Sequence, residues 1–374
     1  PYDTLSPHQD IVSSRISILS RLKSFKNEIV VTTVQAIMPR LSPVDYIKAN
    51  SFSISKGDIR DIQEIQKEMT SHGYLRVEQV LAPGELAIRG SILDIYPMGS
   101  TVPYRIDFFD DEVDSIRVFD VDTQRSLEKV DRIALLPAHE YPLNEQSISV
   151  FRSNYRDAFI GANFASHSIY QAISRGAIPA GIEYYMSLFF SSMSSIFDYL
   201  TEDYRIITVD DVNKAVTEFD VEAHKRALEF AGNPDHPPLP VSKVFLNPQE
   251  VSDNLKKYQL IELYQDSFDS EQIEKRGFYN TDYVKIPDIS YNRQEKESQN
   301  RFIAFVSDFI DKGGRILMSA ISEGRRQSLR ETLPRVITDK YGIKAASSFE
   351  DFLNAKDPFM LTLAPFDEGL IIPS

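Results

Sequence analysis

The chain has 374 residues, a formal net charge of −14 and no cysteine. That length exceeds one ordinary core, so two to three domains are expected, and 42% hydrophobic against 26% charged residues is the balance of a globular protein. The acidity argues against whole-surface attraction to nucleic acid, which needs a basic face, and the missing thiols exclude disulfides, thiolate metal sites and cysteine nucleophiles.

No apolar run approaches the roughly 20 residues that span a bilayer, and no basic-then-apolar leader opens the chain. No membrane partner is therefore expected, and with the absent cysteines this suggests a cytoplasmic location. The first residue is Pro1 rather than methionine, which suggests a piece of a longer protein.

The first predicted element is a helix. Ser6 is placed to cap it, Pro7 suits the first helical position and Gln9 can close a capping box, after which Ile11, Val12, Ile16, Leu19 and Leu22 recur at helical spacing. Glu28 to Val34 is a continuous apolar and β-branched run that reads as a buried parallel strand, and a helix feeding a strand suggests a layered α/β domain. Asp58 to Ser71 reads as a second helix with Ile59, Ile62, Ile65 and Met69 on one stripe.

Residues 73–143 read as short strands, with turns at Pro83-Gly84, Met98-Gly99-Ser100 and Asp110-Asp111. Helices resume near 138, a strand follows at Tyr204 to Val209, and the proline-rich stretch 232–240 is an irregular connection. Residues 291–299 read as a linker. A helix near 300–311, a strand at Arg315 to Ile321, a helix at Glu323 to Leu333 and a strand at Phe359 to Leu363 then make a small α/β domain. The resulting architecture is an α/β domain split into 1–50 and 138–292, an α+β module inserted at 51–137, and the small domain at 299–374.

No G-x-x-x-x-G-K-[ST] loop occurs, so no glycine-rich backbone nest or lysine is available to hold nucleotide phosphates. Asp111-Glu112-Val113-Asp114 matches a helicase box by letters but reads as a charged hairpin turn. Val209-Asp210-Asp211 ends an apolar strand and lacks a following glutamate. The six histidines, His8, His72, His139, His167, His224 and His236, have no metal-ligand spacing.

Alternation along Tyr104 to Phe109 puts Tyr104, Ile106 and Phe108 on one face and Arg105, Asp107 and Phe109 on the other. A phenylalanine on a charged face, with arginine beside it, has the composition of a protein-binding hot spot. The alternative is a half-covered Phe109 with Arg105 paired to a carboxylate. Residues 51–137 carry 10 Lys and Arg against 16 Asp and Glu, which favours a protein over nucleic acid as the partner.

Two pieces, Arg89-Gly90-Ser91-Ile92-Leu93-Asp94-Ile95-Tyr96-Pro97 and Tyr104-Arg105-Ile106-Asp107-Phe108-Phe109-Asp110-Asp111-Glu112, are specific. They resemble the UvrA-binding module shared by the bacterial excision-repair protein UvrB and the transcription-repair coupling factors (the Mfd family). The resemblance covers essentially the whole chain, most strongly 1–40 and 73–143, and more moderately 179–185 and 322–326. The opening Pro1-Tyr2-Asp3-Thr4-Leu5-Ser6-Pro7-His8-Gln9 resembles the coupling factors rather than UvrB, whose phosphate loop, damage-binding hairpin and D-E-S-H box have no counterpart here.

The resemblance implies a decayed helicase-like (P-loop NTPase-like) fold for the split domain, with the inserted module as the UvrA-binding part. It implies UvrA contacts at Arg89, Arg105 and Phe109. It further implies a non-catalytic N-terminal region that recruits UvrA to stalled RNA polymerase for nucleotide excision repair. ATP and magnesium would serve motor domains elsewhere in the longer protein, RNA polymerase and DNA would be bound by other domains, and a C-terminal domain would mask the UvrA-binding face at rest. No cofactor and no metal is expected in this stretch. The competing reading is a UvrB-like, ATP-dependent damage-binding helicase subunit. Because no phosphate loop is present, isothermal calorimetry should detect no ATP binding to this chain, and no turnover should appear with DNA; stoichiometric nucleotide binding would overturn the non-catalytic reading.

Overall fold

The computed structural model describes residues 2, 5–161, 163–264, 268–280, 284–292, 294–366 and 369–372. Its contacts divide the chain into two units, residues 1–265 and 266–374. The fold is mixed α/β with several separate sheets.

The first unit opens on helix α1 (Gln9–Arg21), whose N-cap is His8, its Nδ1 accepting from Asp10 N. The expected cap, Ser6, is used elsewhere: its hydroxyl donates to Glu183 Oε2 at 2.8 Å and accepts from Gly181 N at 3.0 Å. Val12, Ile16, Leu19 and, just past the helix, Leu22 are buried as the spacing predicts, while Ile11 points to solvent.

The strand expected at Glu28 to Val34 does not form. Residues 28–33 are irregular, Ile29 and Val31 are exposed, and among the described residues no strand pairs with them. A β-branched run becomes a strand only when a neighbour supplies ladder hydrogen bonds and cover.

The strand β1 (Phe52–Ser55) pairs antiparallel with β8 (Arg132–Leu135), and between them lies the main sheet. Helix α2 (Ile62–Ser71) starts later than the stripe suggested, with Asp61 accepting from Gln63 N and Glu64 N as its cap. Ile65 and Met69 are buried, but Ile59 falls outside the helix and is 80% exposed. Residues 57–60 are instead tied as extended chain to the following hairpin, with Gly57 N donating to Val113 O and Arg60 N to Asp111 O. Pairing to a sheet edge outcompetes the extra helical turn.

Six strands, β2 (Leu75–Arg76), β3 (Glu85–Arg89), β4 (Ile92–Tyr96), β5 (Tyr104–Phe109), β6 (Glu112–Phe119) and β7 (Ser126–Val130), lie in sequence order in one sheet. Only β2–β3 is parallel. Period-two alternation sends Leu86, Leu93, Ile95, Ile106 and Phe108 to one core, where they meet α1, α2, β1 and β8. The opposite face holds only a small cluster of Val80, Ala87 and Phe119.

A second core of the same unit mixes aliphatic residues with many aromatic ones. In α3 (Glu145–Ala158) Phe151 stacks with Phe189 and Tyr155 with Tyr185, and Phe245 belongs to the same core. Strand β9 (Arg205–Val209) leads into α4 (Val212–Glu229) and pairs parallel with β10 (Gln259–Leu263). The acidic pair after β9 is structural: Asp210 takes φ +61 and Asp211 caps α4 by accepting from Lys214 N.

The second unit holds α5 (Lys296–Asp311), β11 (Ile316–Ala320), α6 (Glu323–Thr332), β12 (Lys344–Ala345) and β13 (Phe359–Leu363), the strands forming a parallel sheet of order β11–β13–β12. Its core joins Phe302, Val306 and Ile310 to Ile337, Phe359 and Leu361. Residues 266–292 go with this unit: Val284–Lys285 pair with Leu370–Ile371, and Ile289 and Tyr291 pack on its core. Among the described residues no helix is long and apolar enough to cross a membrane, and no cluster of His, Asp or Glu could hold a metal ion.

Gly99, in the turn after β4, fastens the six-stranded sheet to α1. Its N–H donates to Ser13 Oγ at 2.7 Å, its φ is +79°, and an added Cβ would stand 2.8 Å from Ser17 Cβ. Gly99→Ala should therefore lower stability by about 1–3 kcal/mol in urea unfolding. Gly90→Ala, at φ +63° with open space around it, should cost only the backbone strain, about 1 kcal/mol.

Candidate protein-docking surface

The register places the outer face of the sheet residue by residue. Arg89 stands opposite Ile92, which stands opposite Asp107, and one row along, Ala87, Asp94, Arg105 and Arg117 are successive partners across β3 to β6. Between Asp107 and Phe108 the register to β6 shifts by one, so that β6 carries the extra residue. The alternation of β5 is undisturbed, and Arg105, Asp107 and Phe109 share the outer face as the spacing predicts.

Asp94 governs the chemistry of that face. Its side chain is only 3% exposed, and Arg105 grips it with both arms of the fork, Nε to Oδ1 at 2.7 Å and Nη2 to Oδ2 at 2.9 Å. The remaining arm, Nη1, donates to Gln124 O at 3.1 Å, and the guanidinium lies 5.0 Å from the Phe119 ring centroid. Hydrogen bonding to Asp94 raises the pKa of Arg105 above the ordinary arginine value. Arg89 approaches the same carboxylate at 3.6 Å but keeps its side chain 53% exposed. Beside them Arg117 pairs with Asp107 at 3.3 Å, and Ser115 Oγ donates to Asp107 Oδ2 at 2.9 Å.

The three residues singled out from the sequence thus lie on one face, but not with equal access. Phe109 is 73% exposed and Arg89 is half exposed, whereas the Arg105 side chain is 16% exposed and already committed. Of the two readings of this face, the one in which Arg105 is paired to a carboxylate holds for that residue, and the carboxylate is Asp94. The signal was available: a carboxylate alternating against Leu93 and Ile95 on a strand needs a cationic partner across the ladder. Phe109 is not covered by a neighbouring strand. An open groove lined by Arg76, Val77, Glu78, Ile88 and Arg89 borders the same face.

The acidic run at the hairpin tip is a turn. Asp110 takes φ +52°, Glu112 stands opposite Phe109, and Val113 is buried. What remains is a face of paired charges with one half-exposed arginine, loosely held by Asp94, and one exposed aromatic, suited to gripping another protein.

Comparison with known proteins gives the family of the chain. Residues 52–141 match the family described as the UvrB interaction domain, and residues 305–374 match the D3 domain of MFD. The transcription-repair-coupling factor of Haemophilus influenzae is 38% identical over 372 residues, which cover 100% of this chain and 31% of that protein. That of Escherichia coli is 37% identical over 337 residues, 90% of this chain and 29% of the relative, and that of Bacillus subtilis 30% identical over 239 residues, 60% and 20%. The chain thus spans less than a third of the length of these relatives. With an interaction domain on the six-stranded sheet, a D3 domain over residues 305–374 and a relative matched along its length, the chain belongs to the transcription-repair-coupling factors and corresponds to their N-terminal, UvrB-related region.

Proposed function

We propose that this region is a non-catalytic docking platform that binds UvrA and so recruits it to stalled RNA polymerase for nucleotide excision repair. The observation that carries the reading is Phe109, a large exposed aromatic at the end of a strand, on the same sheet face as the half-exposed Arg89. A fixed aromatic loses little conformational freedom on binding and offers a desolvated centre, while arginine supplies charge-assisted hydrogen bonds to carboxylates. The matched UvrB interaction domain includes both residues, and the acidity of residues 51–137 disfavours DNA as the ligand of this face.

On this reading the part of the first unit built on its second core is a decayed helicase-like scaffold. ATP and magnesium serve motor domains of the longer protein, which is an ATP-dependent DNA translocase. RNA polymerase and DNA engage other domains, and a C-terminal domain masks the UvrA face at rest. The UvrB-like helicase alternative is disfavoured by the missing phosphate loop.

Arg89→Ala and Phe109→Ala should each weaken the binding of purified UvrA by about 2 kcal/mol, on the order of thirtyfold. Their melting temperatures should match the parent's, since both side chains stand in solvent. Unchanged affinity in both variants would mean that the face is structural.

Arg105 should behave differently. Its removal strands the buried Asp94 carboxylate, so Arg105→Ala should destabilise the fold by about 3 kcal/mol or more, read as a lowered midpoint in urea. A loss of UvrA binding by that variant alone would therefore not identify a contact.

A further inference from the structure

We infer that the UvrA-docking surface continues across the β5–β6 hairpin to Ile59, which forms a second apolar contact beside Phe109. The inference rests on the reading of the Phe109 face given above. It comes from the one apolar residue that the helical stripe claimed and the fold expels.

Residues 57–60 lie against the start of β6. Gly57 N donates to Val113 O at 2.8 Å, Val113 N to Asp58 O at 2.9 Å, and Arg60 N to Asp111 O at 2.7 Å. In this short antiparallel pairing Ile59 stands opposite Glu112, and on the other side of β6 Glu112 stands opposite Phe109. Residues directly opposed across antiparallel chains project to the same face. Phe109, Glu112 and Ile59 therefore form one row. With strands about 4.8 Å apart, the two apolar side chains lie roughly 10 Å from each other.

The neighbours of Ile59 explain why it points out. Asp58 turns toward β1, its Oδ2 accepting from Ser55 N at 2.8 Å. Arg60 turns to the fold, donating to Glu68 Oε2 at 2.6 Å with its guanidinium 5.0 Å from the Phe52 ring centroid. Alternation then leaves Ile59 facing solvent on a backbone pinned at both sides. A single exposed isoleucine is ordinary. Here a β-branched side chain, stiff at χ1, is presented on fixed backbone in the same row as an exposed phenylalanine, so ordering it on binding costs little.

The row defines the chemistry of the partner surface. It must offer an apolar strip long enough to cover Phe109 and Ile59, carboxylates against Arg89, and a cationic group against Glu112. A phosphate backbone offers the reverse of the last requirement, so the occupant is a protein, and we commit to UvrA.

The test compares Ile59→Ala, Ile59→Asp and Phe109→Ala in the 374-residue chain, measuring affinity for purified UvrA and thermal melting. Ile59→Ala should weaken binding about fivefold or more, and Ile59→Asp, which sets a second carboxylate beside Glu112, should weaken it further. All three should melt as the parent does. If Phe109→Ala weakens binding while both Ile59 variants stay within about twofold of the parent, the extension is overturned and the docking face stands. If Phe109→Ala also binds normally, the docking reading falls and takes the extension with it.

Discussion

A carboxylate almost wholly removed from water sits in the second row of the main sheet, and the fold depends on its being answered. Asp94 is buried with its two oxygens held by the Arg105 fork, and that single contact organises four pieces of chain. It links β4 to β5, lets the guanidinium lie on Phe119 of β6, and anchors the loop carrying Gln124 through the third arm. A buried ion pair of this kind adds little net stability compared with apolar packing, but it is intolerant of losing one partner. It therefore makes the outer face rigid in one arrangement rather than merely stable.

That rigidity is what the proposed docking reading needs. The outer face has only a small apolar cluster, so most of its polar groups must satisfy one another, and the Arg117–Asp107–Ser115 group does so beside the Asp94 pair. Once those charges are internally paired, the groups left to act on a partner are the ones outside the network. Phe109 at the end of β5 stands outside it, Arg89 at the end of β3 is held only at its margin by Asp94 with its side chain half exposed, and the proposed extension adds Ile59 from the chain that pairs with the hairpin. The net negative charge of the surrounding module does not hinder this, because recognition of a protein surface depends on the local pattern of charge.

A second buried carboxylate repeats the device where the sheet meets the first helix. Glu140 is buried and paired with Arg15 of α1, whose Nε donates to it at 2.9 Å, and its backbone carbonyl accepts from the hydroxyl of Ser42. Together with the Gly99–Ser13 bond, this ties the exit of the strand-rich segment and one of its inner turns to the same helix. The proposed docking face is thus carried on a sheet whose opposite side is fixed by a continuous apolar core and at its margin by polar clamps. Small displacements of such a support would otherwise be felt directly at Phe109.

Much was legible in the sequence because its causes are local. The two-residue period of β5, the turn residues at Asp110-Asp111 and the burial of Ile65 and Met69 follow from side-chain alternation and backbone preference alone. The same alternation placed Arg105 and Phe109 on one face and made Phe109 the anomaly worth following. What tertiary structure decided is everything that depends on a partner distant in the chain. The run at Ile29 to Val31 has strand chemistry, yet no described strand lies beside it to complete a ladder. Ile59 has helical spacing, yet its neighbours Asp58 and Arg60 hydrogen-bond to Val113 and Asp111 and hold its backbone at the sheet edge. The sequence leaves Arg105 either free or paired to a carboxylate, and the β4–β5 register decides it by bringing Asp94 across from it. Hydrophobic period is written residue by residue, whereas register, cover and charge pairing are properties of segments that meet only when the chain has folded.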